Sequence, residues 1–192
     1  MPRLRPVISR PRSIEGFAIV STDGMIADAN GEFPSIIKSD ADYAFFHDSL
    51  DRMQACVHGR RSYEDGPHAD RRSRLIVTRS VPALAPDTEL PNALCWNPQG
   101  ASFEEAWRAL GIPDGSLAVV GGTDIFGMFL TIGYDVFNLT RVPNTYVGNG
   151  RPVFPAVPQL TPEAVLQSVG LKPSAERVLD AEKGVTLTAW RR

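Results

Sequence analysis

The chain has 192 residues, 43% of them hydrophobic, with 16 glycines and 16 prolines. This length predicts one domain with a sizeable core, and the composition excludes a disordered or fibrous chain. Lys and Arg number 20 against 22 acids, a formal charge of −2 that argues against a whole-chain nucleic-acid binder and favours a small-molecule partner.

Residues Ile14 to Ser21 are apolar and partly β-branched and end at the turn Thr22-Asp23-Gly24, so they read as a first buried strand, continued by Met25-Ile26-Ala27. Ser39 is a good N-cap, and Tyr43, Phe46 and Leu50 recur at helical spacing, which predicts a helix near 40–51. A strand from Gln54 to His58 then meets Gly59, and Arg60 to Glu64 reads as a short helix directly after it. Arg74 to Thr78 is a strand of the continuous apolar kind expected when both faces are covered. Pro82, Pro86 and Pro91 exclude a regular element before the strand Ala93 to Trp96. Ser102 and Glu105 form a capping box for a helix that Gly111 stops. Ser116 to Val120 is a strand running into Gly121-Gly122, Thr123 to Ile132 a helix, and Asp135 to Val142 a strand. Thr161-Pro162-Glu163 is a short helix start. Ala175 to Asp180 and Val185 to Trp190 form an antiparallel hairpin at the sheet edge. Alternation of strands and helices implies a mostly parallel sheet with crossover helices.

Cys56 and Cys95 lie in predicted strands without Cys-x-x-Cys spacing, so a reducing cytoplasm is expected. Arg3, Arg5, Arg10 and Arg12 stand among prolines with no apolar run behind them to serve as a signal peptide. Residues 1–13 are therefore expected to form a flexible basic arm, and 14–192 a single domain. No stretch approaches the roughly 18 apolar residues of a membrane span. Asn138-Leu139-Thr140 matches a glycosylation acceptor but falls inside a predicted strand, and is set aside.

Three constellations stand out. Gly121-Gly122-Thr123-Asp124 joins a strand to a helix, where bare backbone and free N–H groups suit a phosphate, although a Gly-Gly pair also serves as a plain tight turn. Gly59-Arg60-Arg61-Ser62 and Thr78-Arg79-Ser80 stand at other strand ends. In a parallel sheet such ends share one crevice, and guanidinium and hydroxyl groups suit a phosphate monoester; taken singly, each arginine is a solvated surface charge. Asp42, in the first turn of the first helix, can pair with the amidine-like edge of a pterin or pyrimidine. Its plainer role, shared with Asp40, is an acid at a helix N-terminus. His47, His58 and His68 lack zinc spacing, and no Walker loop or Gly-x-Ser-x-Gly elbow occurs.

Taken in order, Ser21 to Ala27, Asp40 to Phe46, His58-Gly59-Arg60-Arg61-Ser62-Tyr63-Glu64, Leu75 to Arg79, Val119 to Phe126, Leu139-Thr140 and Gly148 to Phe154 resemble the dihydrofolate reductase superfamily, which includes the pyrimidine reductases of riboflavin biosynthesis. The resemblance runs from about residue 14 to the end. It implies a three-layer α/β fold with a mostly parallel central sheet, crossover helices and a C-terminal antiparallel hairpin. It also implies NADPH as cofactor, with Gly59, Arg60, Arg61 and Ser62 on its phosphates, Thr78 and Arg79 at its adenosine end and Gly121, Gly122, Thr123, Asp124 and Ile125 at its pyrophosphate. Ala18 and Ile26 would line the nicotinamide pocket. Asp42 takes the place of the family's catalytic, substrate-binding acid, with Thr140 as its neighbour, Phe46 packing on the substrate ring and Arg72 in place of the arginine for a glutamate tail. The reaction implied is hydride transfer to a C=N bond of a pterin or pyrimidine, without nucleic-acid or membrane partners, in a chain whose relatives often form homodimers. Two alternatives stay open: reduction of a 5-amino-6-(5-phosphoribosylamino)uracil-type substrate, and a non-catalytic nucleotide-binding module. The loop Asn30-Gly31-Glu32-Phe33-Pro34 stands where dihydrofolate reductases usually carry a tryptophan, which keeps the first alternative in view.

Overall fold

The computed structural model describes residues 10–60, 62 and 66–192. In chain order its elements are β1 (Ile14–Val20), β2 (Met25–Ala27), α1 (Asp40–Leu50), β3 (Ala55–Gly59), β4 (Ser73–Val77), β5 (Leu84–Pro86), β6 (Ala93–Trp96), α2 (Phe103–Ala109), β7 (Leu117–Gly121), α3 (Thr123–Ile132), β8 (Val136–Arg141), β9 (Arg151–Pro152), α4 (Pro162–Ser168), β10 (Lys172–Pro173), β11 (Arg177–Asp180) and β12 (Val185–Arg191). Among the described residues the main sheet runs β10-β12-β8-β1-β7-β3-β4-β6-β5, with β11 also pairing β12, while β2 and β9 form a separate two-stranded ribbon.

Side-chain alternation along each strand supplies two cores. Ile14, Val57, Leu117 and Val119 pack with Trp107 of α2 and with Phe126 and Phe129 of α3. Their neighbours Phe17, Cys56 and Ala118 pack on the other face against Phe45, Phe46 and Leu50 of α1. Helices thus cover both faces of a sheet whose inner pairs, β1 with β7 and β8, β3 with β7 and β4, and β4 with β6, are all parallel. β12 returns antiparallel to β8, and β11 pairs it from the outside as the expected hairpin.

The winding places the site. β7 inserts between β1 and β3, and the next strand, β8, lands on the far side of β1. Such a reversal leaves a crevice outside the carboxyl ends of the strands. Local chemistry fixes the helix starts around it: Ser39 caps α1 by accepting from the Asp42 N–H at 3.3 Å, and Ser102 and Glu105 make the expected capping box on α2. Thr161 caps α4, whose first residue is Pro162.

Three expectations need correction or limits. The prolines after β4 do not exclude structure, because β5 pairs antiparallel with β6 along the sheet edge, where a terminal proline needs no ladder donor. The short helix expected over 60–64 falls largely on residues 61, 63 and 64, outside the described residues. Of the basic arm, residues 1–9 also lie outside them, whereas Arg12 donates its backbone N–H to Gly115 O at 2.9 Å and Arg10 pairs with Asp135 at 3.2 Å. Both cysteines are buried and in no disulfide, and Asn138 is buried within β8. Among the described residues no helix is long and apolar enough to cross a membrane.

Candidate active site

A cleft of about 1160 Å³ opens at the carboxyl ends of β1, β7 and β8, and Ala18, Ile26, Asp42, Phe46, Ser62, Gly121, Gly122 and Thr140 all line it. Its floor on the α1 side is aromatic. Phe17 of β1 meets Phe46 edge-on at 5.9 Å and Phe45 at 6.3 Å, so a flat ring entering here finds apolar faces on one side.

Asp42 stands in that wall. Burial pushes its carboxyl up from 3.8 to about 6, partly offset by a hydrogen bond from the Thr140 hydroxyl. The geometry follows from two local rules: Ser39 starts α1 so that Asp42 falls in its first turn, and alternation along β8 turns Thr140 to the face that α1 covers. A carboxyl with this value changes protonation between pH 5 and 7, the range useful for proton transfer.

The shift has a consequence for stability. The folded chain binds the Asp42 proton more tightly than the unfolded chain, so the cost of ionising it is absent below about 3.8, grows through the window up to about 6 and is complete above it. Asp42→Asn removes that cost. The ligand-free variant is expected to be more resistant to urea than the parent at pH 8, by on the order of 2 kcal/mol, with the difference shrinking as pH falls to 4. A gain independent of pH would mean that the carboxyl is not held in this state.

The strand tips expected to meet do approach one another. A Cβ placed on Gly121 would lie 3.3 Å from the Ser62 Cβ, and one on Gly122 would lie 3.3 Å from the Ile125 side chain, which also approaches Gly59 at 3.9 Å. The loop after β3 and the turn after β7 are therefore one surface. Farther out, Arg60 donates to the Ser80 hydroxyl at 2.9 Å, and Ser80 shares a 3.0 Å hydrogen bond with Thr78. Arg79 is exposed beside them, and Arg61 lies outside the described residues.

Other expected residues are not brought to the cleft. Arg72 precedes β4, at the opposite end of the parallel strands, and is only 3% exposed; it donates to Asp51 and to the Pro67 carbonyl, both at 3.2 Å. So engaged, Arg72 ties the end of α1 to the loop after β3, and it is not among the residues that line the cleft. Asp124 lines a separate shallow groove beside Met128 and Pro155. Thr123 donates to the Pro152 carbonyl, which anchors the first turn of α3 to the ribbon carrying Ile26.

Sequence reasoning missed the groups that hold the cleft's outer loop. Asp23 accepts from the Ser21 hydroxyl at 2.6 Å and from the N–H groups of Val147 and Gly148. Burial alone raises its carboxyl, but these hydrogen bonds outweigh it and hold it below the usual carboxylate range. Arg141 forks onto Glu163 at 2.6 and 2.8 Å and also reaches the Ser21 and Thr22 carbonyls at 3.3 Å. Both tie the turn after β1 to residues about 120 positions away, a pairing no local pattern announces.

No protein-family model and no curated protein matches the sequence. Solved structures do. A protein from Shewanella sp. PV-4 assigned to riboflavin biosynthesis superposes with a TM-score of 0.65 at 18% identity, covering 94% of this chain and 98% of that one. Dihydrofolate reductase from Enterococcus faecalis, complexed with NADP(H) and RAB-propyl, gives 0.63 at 17% identity over 94% of this chain and 96% of its own. The diaminohydroxyphosphoribosylaminopyrimidine deaminase/5-amino-6-(5-phosphoribosylamino)uracil reductase from Thermotoga maritima gives 0.63 at 16% identity, over 93% of this chain and 56% of that one. The central sheet, its covering helices and the returning hairpin agree with these superpositions, and the chain has the dihydrofolate-reductase-like fold.

Proposed function

We propose that the protein is an NADPH-dependent reductase that delivers a hydride to a C=N bond of a pterin or pyrimidine. The observation that carries this reading is Asp42, a carboxyl raised to about 6 and bonded by Thr140, set among aromatic rings in the same cleft as a bare glycine turn.

The turn fits a dinucleotide. Gly121 and Gly122 have φ of +147° and +92°, and the space a Cβ would fill is bounded by Ser62 and Ile125, so only bare backbone lets a pyrophosphate come this close. The ten-residue α3 begins directly after it and supplies N–H groups and the positive end of its dipole. Arg60, Ser80 and Thr78 would hold a phosphate at the adenosine end, and Ala18 and Ile26 would flank the nicotinamide. When bound, the reduced nicotinamide supplies the hydride. Asp42 orients the heterocycle through its N–H edge and, in its protonated fraction, supplies the proton that the reduced nitrogen needs, directly or through water. Phe46 and Phe17 hold the ring flat and keep bulk water from the reacting face.

Riboflavin-type reduction of a phosphoribosylaminouracil is a second reading, favoured by the structural likeness to the Shewanella and Thermotoga proteins. Loss of NADPH absorbance with dihydrofolate, or with the phosphorylated pyrimidine, decides between the two. NADPH binding with oxidation by neither defines a non-catalytic module. Two buried cysteines outside any disulfide suit a reducing cytoplasm.

The cofactor preference has its own check. Arg60→Ala is expected to weaken NADPH by about tenfold in fluorescence titration while changing NADH by less than about twofold, because a guanidinium on a phosphate monoester is lost in one case only. Equal effects on both would remove Arg60 from the 2′-phosphate position.

A further inference from the structure

His58 and Arg74 are buried, each 1% exposed, and neither has a part in the chemistry above. They stand on adjacent parallel strands. Register sets Arg74 of β4 beside Cys56 of β3, and His58 follows two residues later on the same face, within diagonal reach of a long side chain. Arg74 Nη1 lies 3.4 Å from His58 Nε2, and on the other side of the ring Nδ1 lies 2.9 Å from the Gly59 carbonyl oxygen.

Each of these contacts has one chemical solution. A guanidinium only donates and a carbonyl only accepts, so Nε2 accepts from Arg74 and Nδ1 donates to Gly59. His58 is therefore neutral, with its proton on Nδ1. A doubly protonated ring would set N–H against N–H and charge against like charge in the interior.

The Gly59 carbonyl also accepts from the Ser62 N–H at 3.1 Å, which closes a turn over residues 59–62. Two donors fix this peptide plane with its oxygen toward the buried ring, and trans geometry sends the Arg60 N–H the opposite way. The turn ends at Ser62, whose Cβ stands 3.3 Å from the position of a Cβ on Gly121. Arg74 also donates to the Ala69 carbonyl at 3.1 Å. One buried pair thus fastens the loop after β3 at its beginning and near its end.

We infer that His58 is a positioning residue for the cofactor: held as the Nδ1–H tautomer by Arg74, it fixes the turn 59–62 against Gly121-Gly122 and so sets the cradle for a dinucleotide phosphate. The inference rests on the cofactor half of the reductase reading and deepens it. Arg60 and Ser62 would touch the phosphate, whereas His58 acts only through the Gly59 carbonyl. Without its donor that carbonyl loses the partner that keeps it inward, and an oxygen turned to the groove repels a phosphate.

The test separates the two ring nitrogens. His58→Asn puts an amide N–H near the Nδ1 position and keeps a donor for Gly59; His58→Gln carries its amide to the Nε2 end, meets Arg74 and leaves Gly59 without one. Fluorescence titration of the full chain with NADPH is expected to place the asparagine variant within about threefold of the parent and the glutamine variant weaker by about tenfold or more. Turnover at saturating NADPH is expected to stay within about twofold in both. Nitrogen NMR of the histidine-labelled parent, which needs no variant to fold, is expected to show a protonated Nδ1 and a bare Nε2. A merely structural role would lower the urea midpoint and leave the folded variants with equal NADPH affinity, which overturns the inference, as does an Nε2–H tautomer or a doubly protonated ring. A parent that binds no NADPH overturns it together with the cofactor reading. NADPH binding in the expected order, without oxidation by dihydrofolate or the phosphorylated pyrimidine, removes the reaction and leaves this inference standing.

Discussion

Asp42→Asn is expected to bind NADPH within about threefold of the parent and to turn over dihydrofolate about 100- to 10,000-fold more slowly, the range spanned by a lost general acid with its charge. The two measurements separate because the two halves of the cleft do. Asp42 stands on α1 with Thr140 of β8 behind it, whereas the glycine turn, Ser62 and Arg60 follow other strands. Steady-state loss of NADPH absorbance gives the first quantity and quenching of protein fluorescence gives the second. The parent's turnover should fall as pH rises above about 6, following loss of the Asp42 proton, and the variant's profile should be flat there. Equal losses of turnover and cofactor affinity would take Asp42 out of the substrate's half of the site.

Gly122→Val is expected to abolish NADPH binding, by at least about 50-fold, and to cost about 1–3 kcal/mol of stability through strain at a φ that branched residues avoid. At +92° the backbone leaves no relaxed position for a side chain, and the new Cβ would press within 3.3 Å of Ile125 and 3.7 Å of the Ser62 hydroxyl. Gly111→Ala supplies the control. Its φ is +71°, yet nothing lies within 4 Å of its Cβ position, so it should lose about 1 kcal/mol in urea denaturation and keep full cofactor affinity. A Gly122→Val protein that binds NADPH normally would mean that the dinucleotide lies elsewhere.

Elements with a strong local signature were legible in the amino acids. The Ser102–Glu105 box and the helix Thr123–Ile132 were read at their observed places because caps and apolar spacing act over a few residues. β5, β9 and β10, with two or three residues each, are too short for a period to register, and they exist only because a longer strand offers its edge. At the site, Asp42 and Thr140 were found through resemblance, and their mutual bond depends on a β-strand about 100 residues from the helix. Arg72 was placed through resemblance, as the counterpart of an arginine for a glutamate tail; topology puts a residue just before β4 at the far end from Gly59, which finishes the parallel neighbour β3.

The position of β1 carries a consequence for how the molecule is made. Among the described strands of the sheet β1 comes first in the chain, yet its partners on either side, β7 and β8, begin at Leu117 and Val136. Its apolar faces therefore wait, unpaired, through the synthesis of more than half the chain. Loop closure on that scale is slow, and a nascent strand without neighbours is a target for chaperones and for misassociation. Pocket formation in this sense waits for β8, and a truncated product ending before β8 has no means of assembling it.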